Sequence, residues 1–371
     1  MTRIASWRTL VLPEVRDAIS DDVARIIVSG LLRGGPHTRR LEERLGADWN
    51  RQAVVVGSGM DALELVLEDL DLMSRRVLVP ANCFVAIPGL VARLGGIPVP
   101  VPVDAVRFAP LIDPDTVSGR AVVIWIHHGG MVGEHAEASI CALRAQGCLV
   151  IEDCAYVLAG PRPGSGPGAW GDVAIMSFAP TKPICGSGGG AVLTRDEHLA
   201  ERIAARRSHS GQEHRWAVGE SIYRFRGMSE IEAVIAYHQW EQRNVLRACL
   251  QCVAETYQQA LPQAVVMPGR TPQATQSRYA VHLPNPMPDL RGRLARHGVA
   301  STVMFERPWF DYPALAVHQD EEDWDEIRDL LMRTLFLPFH PSLGTADCMT
   351  VVDALKRCLL SEDLERWKTS L

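Results

Sequence analysis

The chain of 371 residues is long enough for two or three domains and a sizeable buried core. Its 47% hydrophobic and 22% charged residues, with a mean hydropathy of +0.00, exclude a fibre, a disordered chain and a small disulfide scaffold. The 38 Lys and Arg against 44 Asp and Glu leave a formal charge of -6, without the positive excess that nucleic-acid binding draws on.

The longest apolar stretches, such as Ala121 to Ile126 and Leu335 to Pro338, fall short of the about 20 residues that cross a bilayer. Met1 to Leu12 has no apolar segment and no small-residue cleavage site, so a soluble, cytoplasmic protein without a membrane partner is expected. Nine cysteines, an odd and scattered set, suit reduced thiols. Cys249 and Cys252 form a CxxC inside a helical pattern with no second pair, which points to buried thiols one turn apart rather than to zinc.

In chain order, short β-branched runs occur at Ala53 to Val56, Val77 to Val79, Val99 to Val103, Val122 to Ile126, Leu149 to Glu152, Val173 to Ser177 and Ala191 to Leu193. Helical stretches such as Asp61 to Leu72 and Ile140 to Gln146 separate several of them. That alternation predicts βα crossovers and a mainly parallel seven-stranded α/β sheet covered on both faces, with ligands at the carboxyl ends of the strands. Ser229 to Ala260 reads as one long bridging helix and Pro262 to Gln276 as a turn-rich linker. A strand (Tyr279 to Leu283), a helix (Leu290 to His297), a strand (Ala300 to Met304) and a helix (Ala346 to Leu360) then predict a smaller α+β unit. The expected division is a large domain over 1–240, and a bridging helix with a small C-terminal domain over 241–371.

Candidate chemistry sits just after the strand runs. Gly57-Ser58-Gly59-Met60-Asp61 turns from the first strand into a helix, which suits either a phosphate cradle or a plain tight turn. Asp153 ends an interior apolar run, where a carboxylate needs a cationic partner, a hydrogen-bond donor or a role as helix cap. Ser177-Phe178-Ala179-Pro180-Thr181-Lys182 precedes the glycine cluster Gly186 to Gly190, which allows close approach of a flat cofactor to Lys182. By spacing alone, Lys182 is more often a solvated charge. Adjacent His127 and His128 point to opposite faces of a strand, one inward and one outward, and so cannot share an ion. Trp309, Phe310 and Tyr312 either line a substrate mouth or pack.

Taken together and in this order, the SGxxAL of residues 58–63, the IEDxA of 151–155 and the SFxxTK of 177–182 followed by GxGG resemble the DegT/DnrJ/StrS family of pyridoxal phosphate (PLP) aminotransferases. Gly34-Gly35-Pro36, Phe84-Val85-Ala86 after Pro80, Gly168 to Asp172 and Leu335 to Pro341 look like further family landmarks, so the resemblance spans nearly the whole chain. It implies a fold-type I architecture with pyridoxal 5′-phosphate as cofactor. Lys182 falls where the family places the lysine that condenses with the cofactor aldehyde and moves the substrate proton, and Asp153 where a carboxylate pairs with the pyridine nitrogen. Phe84 matches a ring stacked on the cofactor, and Ser58, Gly59, Met60 and Ser177 a phosphate cradle. Met60 replaces a hydroxyl residue and serves through its backbone N–H alone.

Tyr156 stands where glutamine or histidine is usual, and Arg224 where an asparagine reaches the neighbouring subunit's phosphate site. The resemblance implies transfer of an amino group from glutamate or glutamine to the carbonyl of a sugar-like or cyclitol-like acceptor in amino-sugar or antibiotic biosynthesis. It also implies a homodimer with shared sites. A divergent PLP enzyme and a catalytically silent PLP-binding sensor stay open as alternatives.

Overall fold

The structure, a computed structural model, describes residues 3–117, 121–158, 164–208, 225–262, 265, 276–315 and 324–369, with 361–369 as backbone only. The sequence folds into a seven-stranded sheet ordered β1-β7-β6-β5-β4-β2-β3. Its strands are β1 (Gln52–Val56), β2 (Arg76–Pro80), β3 (Ile97–Val101), β4 (Val122–Ile126), β5 (Leu149–Asp153), β6 (Val173–Ser177) and β7 (Gly190–Thr194). All seven expected strands are present within two residues of their anticipated ends. β7 runs antiparallel to both neighbours, and the remaining pairs are parallel.

Burial on both faces explains why central strands such as β4 read as unbroken apolar runs. Val55, Ala174, Met176 and Leu193 pack on one face with Leu41, Trp49 and Trp240. Val54, Val56, Ile175 and Val192 pack on the other with Leu63, Leu67 and Ile203. The covering helices include α2 (Pro36–Trp49), α3 (Gly59–Asp69), α4 (Ala86–Arg93), α5 (Ala136–Ala145) and α6 (Glu197–Arg206), while α1 (Pro13–Ser29) packs outside them on the helix Glu230–Glu241.

The expected bridging helix is two helices, α7 (Glu230–Glu241) and α8 (Arg243–Ala260). Buried Gln242 lies at the break, where its Nε2 donates to Leu10 O at 2.9 Å. This pull from the N-terminal segment is invisible to helical periodicity. Glu230 at the start of α7 is fully buried and accepts from Gly35 N (3.0 Å), His37 N (2.8 Å) and Thr38 N (3.1 Å). The orphan donors of α2 are thus capped by a residue nearly two hundred positions away.

Beyond α8, β8 (Tyr279–His282) pairs antiparallel with β9 (Thr334–Leu337), flanked by α9 (Leu290–Arg296), α10 (Asp325–Arg333) and α11 (Thr345–Thr369). The strand expected over 300–304 reduces to a single bridge of Thr302 with Phe336. β9 is only four residues long, and this one residue pair exchanges backbone bonds on its outer edge. Most of the expected linker, 263–264 and 266–275, lies outside the described residues.

Trp309 and Phe310 are buried, and the Trp309 indole donates to Pro80 O at 3.0 Å, so this aromatic cluster packs. Cys249 is half-buried and Cys252 exposed, which corrects the expectation of buried thiols: their side of α8 faces away from the core. Among the described residues no helix is long and apolar enough to cross a membrane.

Candidate active site

The carboxyl ends of β1, β2, β4, β5 and β6 deliver Ser58, Phe84, His127, Asp153 and Ser177 to one edge of the sheet. At β1, Ser58 caps α3: its Oγ accepts from Asp61 N at 3.0 Å and donates to Asp61 Oδ2 at 2.8 Å. The Ser58 hydroxyl is therefore committed to its own helix. Gly59 opens that helix, and a methyl group there would lie 2.8 Å from Ser177 Cβ and 3.2 Å from Ser177 Oγ. At Gly59 the turn lies so close to the end of β6 that a side chain has no room, which sets the N-terminus of α3 beside Ser177. Met60 packs its side chain against the core, which leaves its backbone facing the turn.

Lys182 sits in the loop after β6. Phe178 N donates to Gly189 O at 2.8 Å, Gly186 N to Phe178 O at 2.8 Å and Lys182 N to Ala179 O at 2.9 Å, so the loop closes back on itself. The glycine cluster serves this closure rather than cofactor approach. A methyl group on Gly186 would meet Ala236 Cβ at 3.0 Å, and one on Gly190 would meet Ser58 C at 2.5 Å and Gly59 N at 2.6 Å. Because those last contacts are backbone, Gly190→Ala must push the β1–α3 turn out of place. A loss of about 1–3 kcal/mol of stability and weaker PLP binding are expected, to be read by thermal unfolding and cofactor titration.

Asp153 is buried at the end of β5, with Oδ1 accepting from Ala155 N at 2.9 Å. Burial raises its carboxyl above the usual value, opposed by the Ala155 N–H and by the electrostatic pull of Lys182 and the His127 ring. Lys182 Nζ lies over the Tyr156 ring, 3.5 Å from its centroid. Burial raises the Tyr156 phenol, but Lys182 and Arg278 outweigh it and draw the group below its ordinary value. Phe84, in the turn after β2, is 54% exposed, an open aromatic face at the carboxyl edge of the sheet on which a planar ring could stack. Arg224 lies outside the described residues.

Both histidines after β4 are buried, which corrects the expectation of one inward and one outward ring. The strand ends at Ile126 and a short 3-10 turn begins at His128, so strand alternation no longer governs the pair. His127 Nε2 bonds Glu152 Oε2 at 3.0 Å. Glu152 also accepts from Gly168 N (2.7 Å), Trp170 N (2.9 Å) and Gly171 N (2.6 Å), which pins the 168–171 loop behind the site. His127, Glu152 and Cys154 place potential ligand atoms within 4.8 Å of one another, but Glu152 spends both oxygens on these bonds. The signal for this anchor was the carboxylate one residue before Asp153, inside an apolar run.

Among the described residues the buried Nε2 of His128 has no hydrogen-bond partner, and burial, then His127 and Lys182, lowers the group to about 3. The unfolded chain takes up this proton near the usual histidine value, and the folded chain only at about 3. His128 therefore removes stability as pH falls through that window. His128→Gln is expected to flatten the loss between about pH 7 and about pH 5, by at most about 1.4 kcal/mol per pH unit. Urea titrations at the two values check this, and equal slopes would contradict it.

The family profile described as DegT/DnrJ/EryC1/StrS aminotransferase matches residues 13–356. The chain belongs to this aminotransferase family. A curated relative from Saccharopolyspora spinosa, dTDP-4-dehydro-2,3,6-trideoxy-D-glucose 4-aminotransferase, is 29% identical over 368 residues, covering 91% of this chain and 93% of that protein. The crystal structure of S. venezuelae DesV in complex with a ketimine intermediate superposes with a TM-score of 0.84 at 24% identity, covering 96% of this chain and 99% of that one. The putative sugar aminotransferase Spr1654 from Streptococcus pneumoniae, solved in a PLP form, gives 0.79 at 19% identity over 92% and 97% of the two chains. The fold is thus the fold-type I α/β architecture of the DegT/DnrJ/EryC1/StrS enzymes, and the family implies PLP as cofactor with an amino donor and a sugar carbonyl acceptor.

Proposed function

We propose that the protein uses pyridoxal 5′-phosphate to move an amino group from glutamate or glutamine to the keto or aldehyde group of a sugar-like or cyclitol-like acceptor. The observation that carries this reading is the convergence of Lys182, buried Asp153 and the open face of Phe84 at the carboxyl edge of one sheet. Relatives such as the S. spinosa 4-aminotransferase, whose name specifies a nucleotide-linked keto sugar, support the acceptor class.

The residues present suit the cofactor. The N-terminus of α3, brought beside Ser177 by the close approach at Gly59, would hold a phosphate through the backbone N–H groups of Gly59 and Met60 and the Ser177 hydroxyl. Ser58 contributes by capping that helix, since its hydroxyl is already bonded to Asp61. Phe84 would stack on the ring, and Tyr156 would donate from its phenol to a ring oxygen. When bound, the cofactor supplies an aldehyde that accepts an amine nitrogen and a ring that takes up the electron pair left by a departing proton. The Lys182 amine would hold the cofactor through its aldehyde and would serve as the base and acid that takes and returns the donor's proton. The Asp153 carboxylate holds a proton on the ring nitrogen; a cation placed there would offset the burial that raises it in the empty site.

A two-fold homodimer is part of this reading. Ile27 and Val28 at the end of α1 are 63% and 88% exposed, with Leu31 and Leu32 half exposed beside them, an apolar set suited to a second copy. The test of function is to mix PLP-loaded protein with glutamate or glutamine and follow both the cofactor absorbance and the keto acid released. Conversion of the cofactor with one keto acid per site is expected. No conversion by any amino donor would leave a silent PLP-binding protein instead.

A further inference from the structure

Arg278, immediately before β8, sets its guanidinium 5.3 Å from the centroid of the Tyr156 ring that Lys182 Nζ also overlies. Its place is fixed from behind. Ser277 N and Arg278 N donate to Gly129 O at 2.7 and 3.1 Å, and Ser277 Oγ donates to Tyr156 O at 2.8 Å. Arg278 Nη2 donates to Thr181 O, next to Lys182, at 3.2 Å. Residues 277–278 thereby tie the turn after β4, the tyrosine and the lysine loop into one wall. The cleft along this wall also takes in Arg8 and His340, and among the described residues no aspartate or glutamate lines it.

A guanidinium held beside a reactive amine, bonded to a carbonyl rather than to a counterion, is a receiver for a planar anion. We propose that Arg278 is a specificity-determining residue that binds the α-carboxylate of the amino-acid donor, so that the enzyme selects α-amino acids over simple amines. The proposal rests on the aminotransferase reading above. In an amino acid, the amine nitrogen and the carboxylate carbon share one carbon and lie about 2.5 Å apart. A donor whose nitrogen takes the place of Lys182 Nζ on the aldehyde carbon, releasing the lysine as a free amine, would therefore bring its carboxylate toward the second cation over the same ring. The diphosphate of a nucleotide sugar would lie a whole sugar ring farther from the reacting carbon. Four of the five Arg278 donors are not used by the Thr181 bond, enough for a two-pronged contact.

The test uses PLP-loaded protein with the variants Arg278→Gln and Arg278→Lys, each first shown to melt as the parent does. Glutamate titration should show half-saturation raised ~100-fold in Arg278→Gln and partly restored in Arg278→Lys, while cofactor conversion by propylamine, which has no carboxylate, should change far less, by the lost contact with Tyr156 alone. In parallel, calorimetry with 2-oxoglutarate, which carries the carboxylate without the amine, should show binding to the parent and at least ~10-fold weaker binding to Arg278→Gln. If the parent binds 2-oxoglutarate no more tightly than Arg278→Gln does, or if glutamate and propylamine suffer equally, the proposal is overturned. If carboxylate binding depends on Arg278 but no donor converts the parent's cofactor, Arg278 stands as a carboxylate receiver and the transfer reaction is what fails.

Discussion

Lys182→Ala is expected to lose the covalent attachment of PLP and to lower amine transfer by ~10^4-fold or more, because one amine both holds the cofactor and carries the substrate proton. The sequence has three lysines, Lys182, Lys356 and Lys368, and the other two belong to α11 at the far end of the chain. The side chain fixes no fold element: its backbone N–H makes the loop bond to Ala179 O, and its Nζ lies over an aromatic ring. Lys182→Ala should therefore keep the parent melting temperature, and rate and stability measured on one preparation separate a chemical role from a structural one.

The second large effect concerns Asp153 and has opposite signs for activity and stability. Asp153→Asn keeps the volume and the acceptor for Ala155 N but removes the charge. Without it the ring nitrogen has no base to hold its proton, and the half-reaction with donor should slow by about 10^3-fold. The empty protein should meanwhile be as stable as the parent or more so at neutral pH. The folded-state carboxyl is raised above its ordinary value, so near neutrality the buried charge works against folding, and the amide resembles the protonated form the site prefers. Stopped-flow spectra and thermal melts of cofactor-free protein check the two halves. A variant that is slow and also clearly less stable would assign Asp153 a structural duty in place of the electrostatic one.

What could be read from residues alone follows a physical division. The seven strands were legible because a doubly covered parallel sheet demands continuous β-branched runs, and the runs carry their own ends. Lys182, Asp153, Ser58 and Phe84 were legible as positions because ligand sites on such sheets fall just past those ends. Features set by partners far along the chain were not. The break at Gln242 depends on Leu10, the cap of α2 on Glu230, and the burial of both His127 and His128 on the turn that ends β4. Arg278 gave no local signal, since a single arginine before a short strand is ordinary until folding sets it over Tyr156. The glycines after Lys182 were read as room for a ligand, whereas most of that room is taken by α7 and the β1–α3 turn.

The account turns on Lys182 Nζ as the point where PLP is bound and amine is exchanged. The most direct measurement is borohydride reduction of the PLP-loaded protein, followed by digestion and mass mapping. The peptide containing Lys182 should carry the reduced cofactor, and prior incubation with glutamate should remove that label while releasing 2-oxoglutarate. Label on the peptide of Lys356 or Lys368, or a Lys182 label that glutamate and glutamine leave untouched, would contradict it.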